Sequence, residues 1–238
     1  MKKAFLLVSV LALNILLSCS DKNKDDSGNS EYSGEVTYST MSADWTIYGS
    51  AQELVEDANT VFIGKVTGIS FQVLNSMVAL PPTEETEERN YELYTIYDVD
   101  VITSYMGEAS KSTQVRMCGG LMDYRVEEQL EVMKVGNAWG SDYGIPIMEG
   151  SKRFEIGETY LFALYQFDTG VPTPMNLEQS VYNIHNPFEK HALDITAKDV
   201  ISTFGKNKWD IFWDQWQKDN PDWETRLDKT EVEKALAE

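Results

Sequence analysis

Residues 60–74 read TVFIGKVTGISFQVL, from Thr60 to Leu74. This stretch is rich in β-branched and aromatic residues, which are typical of strands because they pack well on a pleated surface. We therefore predict one long strand here. Gly64 and Gly68 interrupt the run, and each is a candidate bulge or bend, since a glycine inside a strand often marks such a point.

The residues just before this strand predict a short helix. Ser50-Ala-Gln-Glu53 has the spacing of a capping box, in which a serine and a glutamate satisfy free backbone N–H groups at a helix start. The predicted helix covers residues 51–58, and Asn59 breaks it. The long strand therefore follows a small capping helix.

Four later segments have strand character. They are residues 91–105, 112–118, 154–167 (after a turn at Gly157) and 180–184. In the first of these, polar and apolar residues alternate, which predicts that one face is buried. The more apolar set, expected to face the core, is Leu93, Thr95, Tyr97, Val99 and Val101.

Two connecting regions are less regular. Val126, Leu130 and Met133 have helical spacing, although Val126, Leu130 and Val132 would also suit a strand, so both assignments stay open for residues 121–135. We expect residues 136–150 to form a loop. Residues 75–92 contain Pro81-Pro82 and several glutamates, which predicts an exposed connection.

The C-terminal part differs in character, because helical signals replace strand signals. Thr196-Ala-Lys-Asp199 is a capping pattern for a helix through Phe204. A second helix carries one aromatic face, and Asn220-Pro221 stops it. Residues 225–238 are charged and helix-prone. The aromatic face consists of Trp209, Phe212, Trp213 and Trp216.

Together these elements predict a mainly β (α+β) fold. We expect an OB-like antiparallel barrel over residues 45–190, with an N-terminal capping helix, and a helical C-terminal appendage over residues 191–238. Residues 19–44 are polar and lack an apolar period, so they are predicted to be a flexible tether.

Three motifs carry a resemblance to known proteins. They are ELVEDANTVFIGKV at residues 53–66, the strand that ends in a Gly pair at residues 115–120, and IGETYLFAL at residues 156–164. The arrangement resembles bacterial lipoproteins of uncharacterised function. More distantly it is similar to netrin-like and tissue-inhibitor-of-metalloproteinase modules, which implies an OB-type barrel. The resemblance covers roughly residues 50–167, and its motifs are structural.

The first residues predict export and lipidation. Lys2 and Lys3 precede an apolar run that is too short to span a bilayer, which is typical of a signal peptide over residues 1–18. The run ends Leu16-Leu17-Ser18-Cys19, which resembles a lipobox. We therefore expect a lipoprotein held extracytoplasmically at a cell membrane or outer membrane by acyl chains such as palmitate on Cys19.

Charge and cysteine content narrow the possible partners. The chain has a formal net charge of −19. Removing residues 1–18 takes away two lysines and no acid, so the mature charge is −21. A chain this acidic is not expected to bind nucleic acid, whose phosphates it would repel. Lipidation of Cys19 leaves Cys118 without an intramolecular disulfide partner, and we expect Cys118 to be an inert buried thiol.

The chain offers little sign of catalytic chemistry. His185, Glu189 and His191 lie close in sequence, but their spacing matches no zinc signature, and Pro187 between them argues against a regular helix. We predict no catalytic residue, metal site or cofactor. The three tryptophans have two interpretations. They either pack against the barrel or form an exposed platform for a glycan or a partner protein. They are Trp209, Trp213 and Trp216.

The sequence thus favours a non-catalytic binding or assembly module whose ligand is an unknown protein or glycan. A hydrolase that uses carboxylates, or a metal near His185 and His191, is the first alternative. A peptidase-inhibitor-like module is the second, with residues 75–92 or 136–150 as the inserting loop. Inhibitors of the resembled type bind protease zinc through a free N-terminal cysteine amine. A lipid on Cys19 removes that group, so this mechanism does not carry over.

Overall fold

The computed structural model describes residues 36–76, 80–82, 91–107, 110–138, 144–168 and 170–237. The predicted signal peptide and the predicted lipidation site, Cys19, lie outside these residues. About 33% of the described residues are in strands and 29% in helices. The fold is therefore mixed α+β, which confirms that part of the predicted class, but helices contribute nearly as much as strands.

The elements follow one another along the chain in a regular order. The strands are β1 (Tyr38–Met41), β2 (Thr60–Asn75), β3 (Tyr91–Met106), β4 (Ser112–Cys118), β5 (Ile145–Met148), β6 (Thr159–Tyr165), β7 (Thr173–Pro174) and β8 (Val181–Asn183). The α-helices are α1 (Ala51–Asp57), α2 (Val126–Val135), α3 (Ala197–Ser202), α4 (Lys206–Asp219), α5 (Trp223–Arg226) and α6 (Lys229–Ala237).

The main sheet is antiparallel and has the strand order β4-β3-β2-β6-β7, with β8 also pairing with β6. The central strand β2 is the predicted long strand, and its pairing with β3 shifts register at Gly64 and at Gly68. Both predicted bulges are thus confirmed. A Cβ atom at Gly64 would lie 2.4 Å from Val99 Cγ1 and 3.1 Å from the Asp100 carbonyl oxygen, so the close approach of β2 and β3 leaves little room for a side chain there.

The sheet does not close into a barrel. Its edges are β4 and β7, and in the described chain one backbone hydrogen bond crosses between them, from the Arg116 N–H to the Pro172 carbonyl at 2.9 Å. β7 has only two residues, and Pro172 and Pro174 carry no backbone N–H to extend a ladder. The predicted OB-like barrel is therefore not formed as a closed structure.

A second, two-stranded sheet pairs β1 with β5 in parallel. This corrects two predictions. Residues 38–41 were expected to belong to the tether, and residues 145–148 to a loop. Each strand has only four residues, which is too short to show the alternation of apolar and polar residues by which a strand is predicted. Because the two strands are parallel and far apart in sequence, no hairpin turn between them marks the pairing either. The folded part thus begins before Trp45.

Two apolar cores lie on opposite faces of the main sheet. The first contains the predicted inward residues Leu93, Tyr97 and Val99, together with α2, so helix is the correct assignment for residues 126–135. On the outer face of β3, Tyr94 and Ile96 are also buried and form a small third cluster. The alternation of β3 assigned these two residues to the exposed face.

The second core joins the sheet to the helices. It contains α1, one face of β2 and β6, and side chains from α3, α4 and α6. The predicted boundary at residue 190 therefore separates segments that pack together. Both predicted helix caps are confirmed. The Ser50 side chain accepts a hydrogen bond from the Glu53 N–H, and both hydrogen bonds of the capping box between Thr196 and Asp199 are present. In the first case the Glu53 carboxylate accepts from the Gly49 N–H at 2.8 Å.

Candidate functional site

The three candidate tryptophans are buried in the second core. Trp209, Trp213 and Trp216 are 4%, 8% and 4% exposed. Trp213 stacks on both neighbours, with ring centroids 5.7 Å from Trp209 and 5.0 Å from Trp216. An exposed aromatic platform is therefore not formed. The packing interpretation describes these side chains, because burying three indoles is what attaches α4 to the sheet.

Trp216 also lies at the wall of a groove, which we call the α4 groove. Its volume is about 650 Å³, and it runs between α4 on one side and the ends of β3 and β6 on the other. The Trp216 indole N–H donates to the Ile184 carbonyl at 2.7 Å, which fixes the base of the groove. A volume of this size is within the usual range for ligand sites.

Two exposed isoleucines face this groove from opposite walls. Ile211 of α4 is 66% exposed, and Ile102 of β3 is 60% exposed. Phe212, Ile63 and Ile184 line the space between them. Single exposed apolar residues are common on protein surfaces, but two large ones on the walls of one groove suggest a site that excludes water when it is filled.

The rim of the α4 groove carries charges of both signs. Lys208 and Lys218 lie along α4, and Asp214, Asp219 and Glu158 lie among them. Acids outnumber bases by 39 to 20 in the whole chain, so the rim is more balanced than the rest of the protein. An apolar centre within a polar rim is the usual arrangement of a protein interface.

The β3 wall of the groove presents backbone as well as side chains. Residues 102–105 all line the groove in succession. Pairing of β3 with β4 ends at Asp100–Ser112, followed by one bond from the Val101 N–H to the Lys111 carbonyl. Beyond that point, within the described chain, β3 pairs with β2 alone. β3 continues to Met106, and the chain returns from there to Lys111 opposite Val101, so the β4-side edge of residues 102–106 borders this hairpin connection.

The two histidines occupy different surroundings. His185 is exposed, and its carbonyl accepts from Arg226 at 3.0 Å. His191 is half-buried, and burial lowers its pKa below the ordinary value. No group of three or more His, Cys, Asp or Glu side chains that could hold a metal ion occurs among the described residues. The structure thus offers the hydrolase alternative no metal-ligand cluster there.

Cys118 is half-buried and free. Burial and the nearby Glu92 carboxylate raise the pKa of its thiol to about 12. The Cys118 thiol donates to Glu92 across 3.6 Å. A thiol in this environment stays protonated at neutral pH, so it is a poor nucleophile.

Sequence reasoning identified the aromatic face of α4 but missed the groove beside it. The signal was present, because Lys208, Ile211 and Gln215 form the stripe adjacent to the tryptophans. Ile102 was also placed on the outward face of β3, where an isoleucine is unusual. The sequence pattern does not show that this stripe of α4 and Ile102 of β3 line the same groove.

No protein-family model matches this chain, and no curated protein matches it significantly. Within the described residues, no helix has the length and apolar character needed to cross a membrane.

Proposed function

We propose that this protein is a membrane-anchored extracytoplasmic lipoprotein, held by lipid on Cys19, that binds an extended peptide segment of a partner protein in the α4 groove. One observation carries the binding proposal: the exposed side chains of Ile102 on β3 and Ile211 on α4 line the same groove, within a rim of charges of both signs. Grooves of this kind recognise peptide segments through apolar anchor side chains that the groove buries.

The size of the groove sets the length of the ligand. Its α4 wall runs from Lys208 to Asn220. At 1.5 Å per helical residue, this wall is about 18 Å long. An extended peptide rises about 3.3 Å per residue, so about five residues fit along it. Such a peptide would place alternate side chains toward Ile102 and Ile211, and we expect apolar residues at those positions.

The charges on the rim of the α4 groove limit which charges the peptide ligand can carry. The two lysines of the rim lie ten residues apart, near the two ends of the groove, and Asp214 and Asp219 lie among them. A peptide with charges of one sign would meet repulsion at several of these side chains. We therefore propose a ligand with a central apolar pair and flanking charges of both signs.

The resemblance to OB-type barrels is also part of this proposal. The resembling residues, roughly 50–167, contain α1, the long bulged strand β2, and the strands β3, β4 and β6. The hydrogen bond from Arg116 to Pro172 brings the two sheet edges together at one point. We propose an incompletely closed, OB-like arrangement in a lipoprotein, with the ligand in the α4 groove.

A peptide library displayed on phage, selected against the lipidated full-length protein in phosphatidylcholine vesicles, tests the function. Ile211→Asp should weaken the selected peptides by at least about tenfold, because burying an isoleucine contributes about 1.5–3 kcal/mol. Leu193→Asp is the matched control, since Leu193 is 64% exposed and lies outside the groove. Selection of no peptide, or equal loss in both variants, would count against the proposal.

A further inference from the structure

A second groove lies away from the α4 groove, and we call it the His191 groove. Its volume is about 670 Å³. Residues 150–155 form one wall, residues 189–192 form another, and Tyr160 and Asn183, which pair across β6 and β8, lie between them. The proposed peptide function uses none of these residues.

The apolar surface of this groove is small and shallow. Phe154 and Met117 are buried beneath it, and Leu177 and Val181 are partly buried along it. These side chains supply apolar contact without a deep apolar pocket. The remaining lining is polar, so hydrogen bonding rather than apolar burial must dominate recognition here.

Three hydrogen-bond donors in the groove lack acceptors in the described part of the chain. The Tyr160 hydroxyl oxygen accepts from the Glu155 N–H at 3.0 Å, but its own proton has no acceptor, although Tyr160 is only 6% exposed. The Asn183 side-chain oxygen accepts from the His185 N–H at 2.7 Å, which leaves the amide Nδ2 unused. The third donor is the Lys152 ammonium.

Three acceptors face the same space. Two are the carboxylates of Glu178 and Glu189, which have no side-chain partner among the described residues. The third is His191, whose Nδ1 lies 3.1 Å from the Glu178 carbonyl oxygen. A carbonyl can only accept, so Nδ1 carries the proton, and Nε2 of the neutral ring is left as an acceptor. The lowered pKa of His191 agrees with a neutral ring.

Two ion pairs within the protein satisfy Arg153, Glu155 and Lys190 of this groove, which leaves Lys152, Glu178 and Glu189 as its unpaired charges among the described residues. Arg153 pairs with Glu155 at 2.9 Å, and Lys190 pairs with Asp194 at 3.2 Å. The groove therefore combines free donors and free acceptors in equal number with little net positive charge. A carboxylate or phosphate ligand would meet Glu178 and Glu189 as well as the field of a strongly acidic protein.

We propose that the His191 groove binds a neutral, polyhydroxylated ligand of the saccharide class. Each sugar hydroxyl both donates and accepts, so it is matched by alternating donors and acceptors and not by a cluster of one kind. The sugar ring presents C–H groups, which suit the shallow surface of Phe154, Leu177 and Val181. Asn183 and Tyr160 donate to ligand oxygens, and Glu189 and His191 accept from ligand hydroxyls.

The test is a ligand-observed NMR titration of the full-length lipidated protein with cellobiose, maltose, lactose and N,N′-diacetylchitobiose, and with glucuronate and glucosamine as charged comparators. We expect at least one neutral disaccharide to bind at about 10 mM or below. Asn183→Asp retains the oxygen that accepts from His185 and removes the Nδ2 donor. It should weaken binding about 2- to 12-fold, the range for one hydrogen bond.

Two controls make the result specific. Asn207→Asp is the same substitution at an exposed asparagine outside both grooves, and it should leave saccharide binding unchanged. Ile211→Asp should weaken peptide binding by at least about tenfold without changing saccharide binding, so failure of the peptide function and of this inference are separable. The inference is overturned if no neutral disaccharide binds, if only the charged sugars bind, or if Asn183→Asp and Asn207→Asp behave alike.

Discussion

The buried guanidinium of Arg116, on the edge strand β4, leads to a prediction about the stability of the fold. Its side chain is only 4% exposed, and its Nε and Nη1 atoms have no hydrogen-bond partner in the described part of the chain. The rings of Tyr94 and Phe167 flank the guanidinium at 5.3 Å and 5.1 Å. Burial lowers the pKa of Arg116, as expected for a charge removed from water with no ion-pair partner among the described residues.

Replacing Arg116 with methionine should therefore stabilise the protein. Replacing a buried charged group with an apolar side chain of similar volume contributes about 1–4 kcal/mol. The lost cation–π contacts offset about 0.5–2 kcal/mol of this gain. The midpoints of these two ranges give a net increase of about 1 kcal/mol in the free energy of unfolding. For a domain of this size, that corresponds to a Tm higher by about 2–4 °C.

Urea unfolding, followed by tryptophan fluorescence and repeated by calorimetry, measures this change. The matched control is Arg153→Met, because Arg153 also lies over a tyrosine ring but is about one-third exposed and pairs with Glu155. That variant should lose no more than about 1 kcal/mol. If Arg116→Met unfolds at a lower urea concentration than the wild type, the guanidinium is compensated in the folded state and the reasoning is wrong.

Three further predictions follow from the core and from the two cysteines. Trp213→Ala should destabilise the protein by about 3–5 kcal/mol and remove the near-UV dichroism of the stacked indoles, and a loss below about 1 kcal/mol would contradict the packing interpretation. Because the pKa of Cys118 is raised from 9.0 to about 12, its neutral form stabilises the fold up to pH 9, and this contribution falls as the pH rises toward 12. At pH 8 iodoacetamide should therefore label the folded protein far more slowly than the unfolded protein, in proportion to the thiolate present. Cys19→Ser should abolish palmitate incorporation and release the protein from membranes, as fractionation and mass spectrometry of the N-terminus would show.

Local signals predicted much of the fold correctly. Gly64 and Gly68 both stand at register shifts of β2, and at Gly64 the neighbouring strand leaves little room for a side chain, so glycines within one strand are enough to mark these points. The side chains of the capping residues Ser50 and Thr196 start helices by accepting hydrogen bonds from backbone N–H groups only three residues further along the chain. The β1–β5 pairing was missed because it joins two four-residue strands far apart in the chain.

The two grooves could not be predicted in this way, because each is made by segments distant in sequence. Ile102 and Ile211 are ordinary exposed residues of a strand and a helix until the tertiary structure sets them on facing walls. Tyr160 and Asn183 become neighbours only through the pairing of β6 with β8. Local bonds and side-chain periods dictate helices and bulges, and the first residues alone predict the lipidation of Cys19. Long-range packing alone places donors, acceptors and apolar surfaces opposite one another, since that placement depends on the whole core.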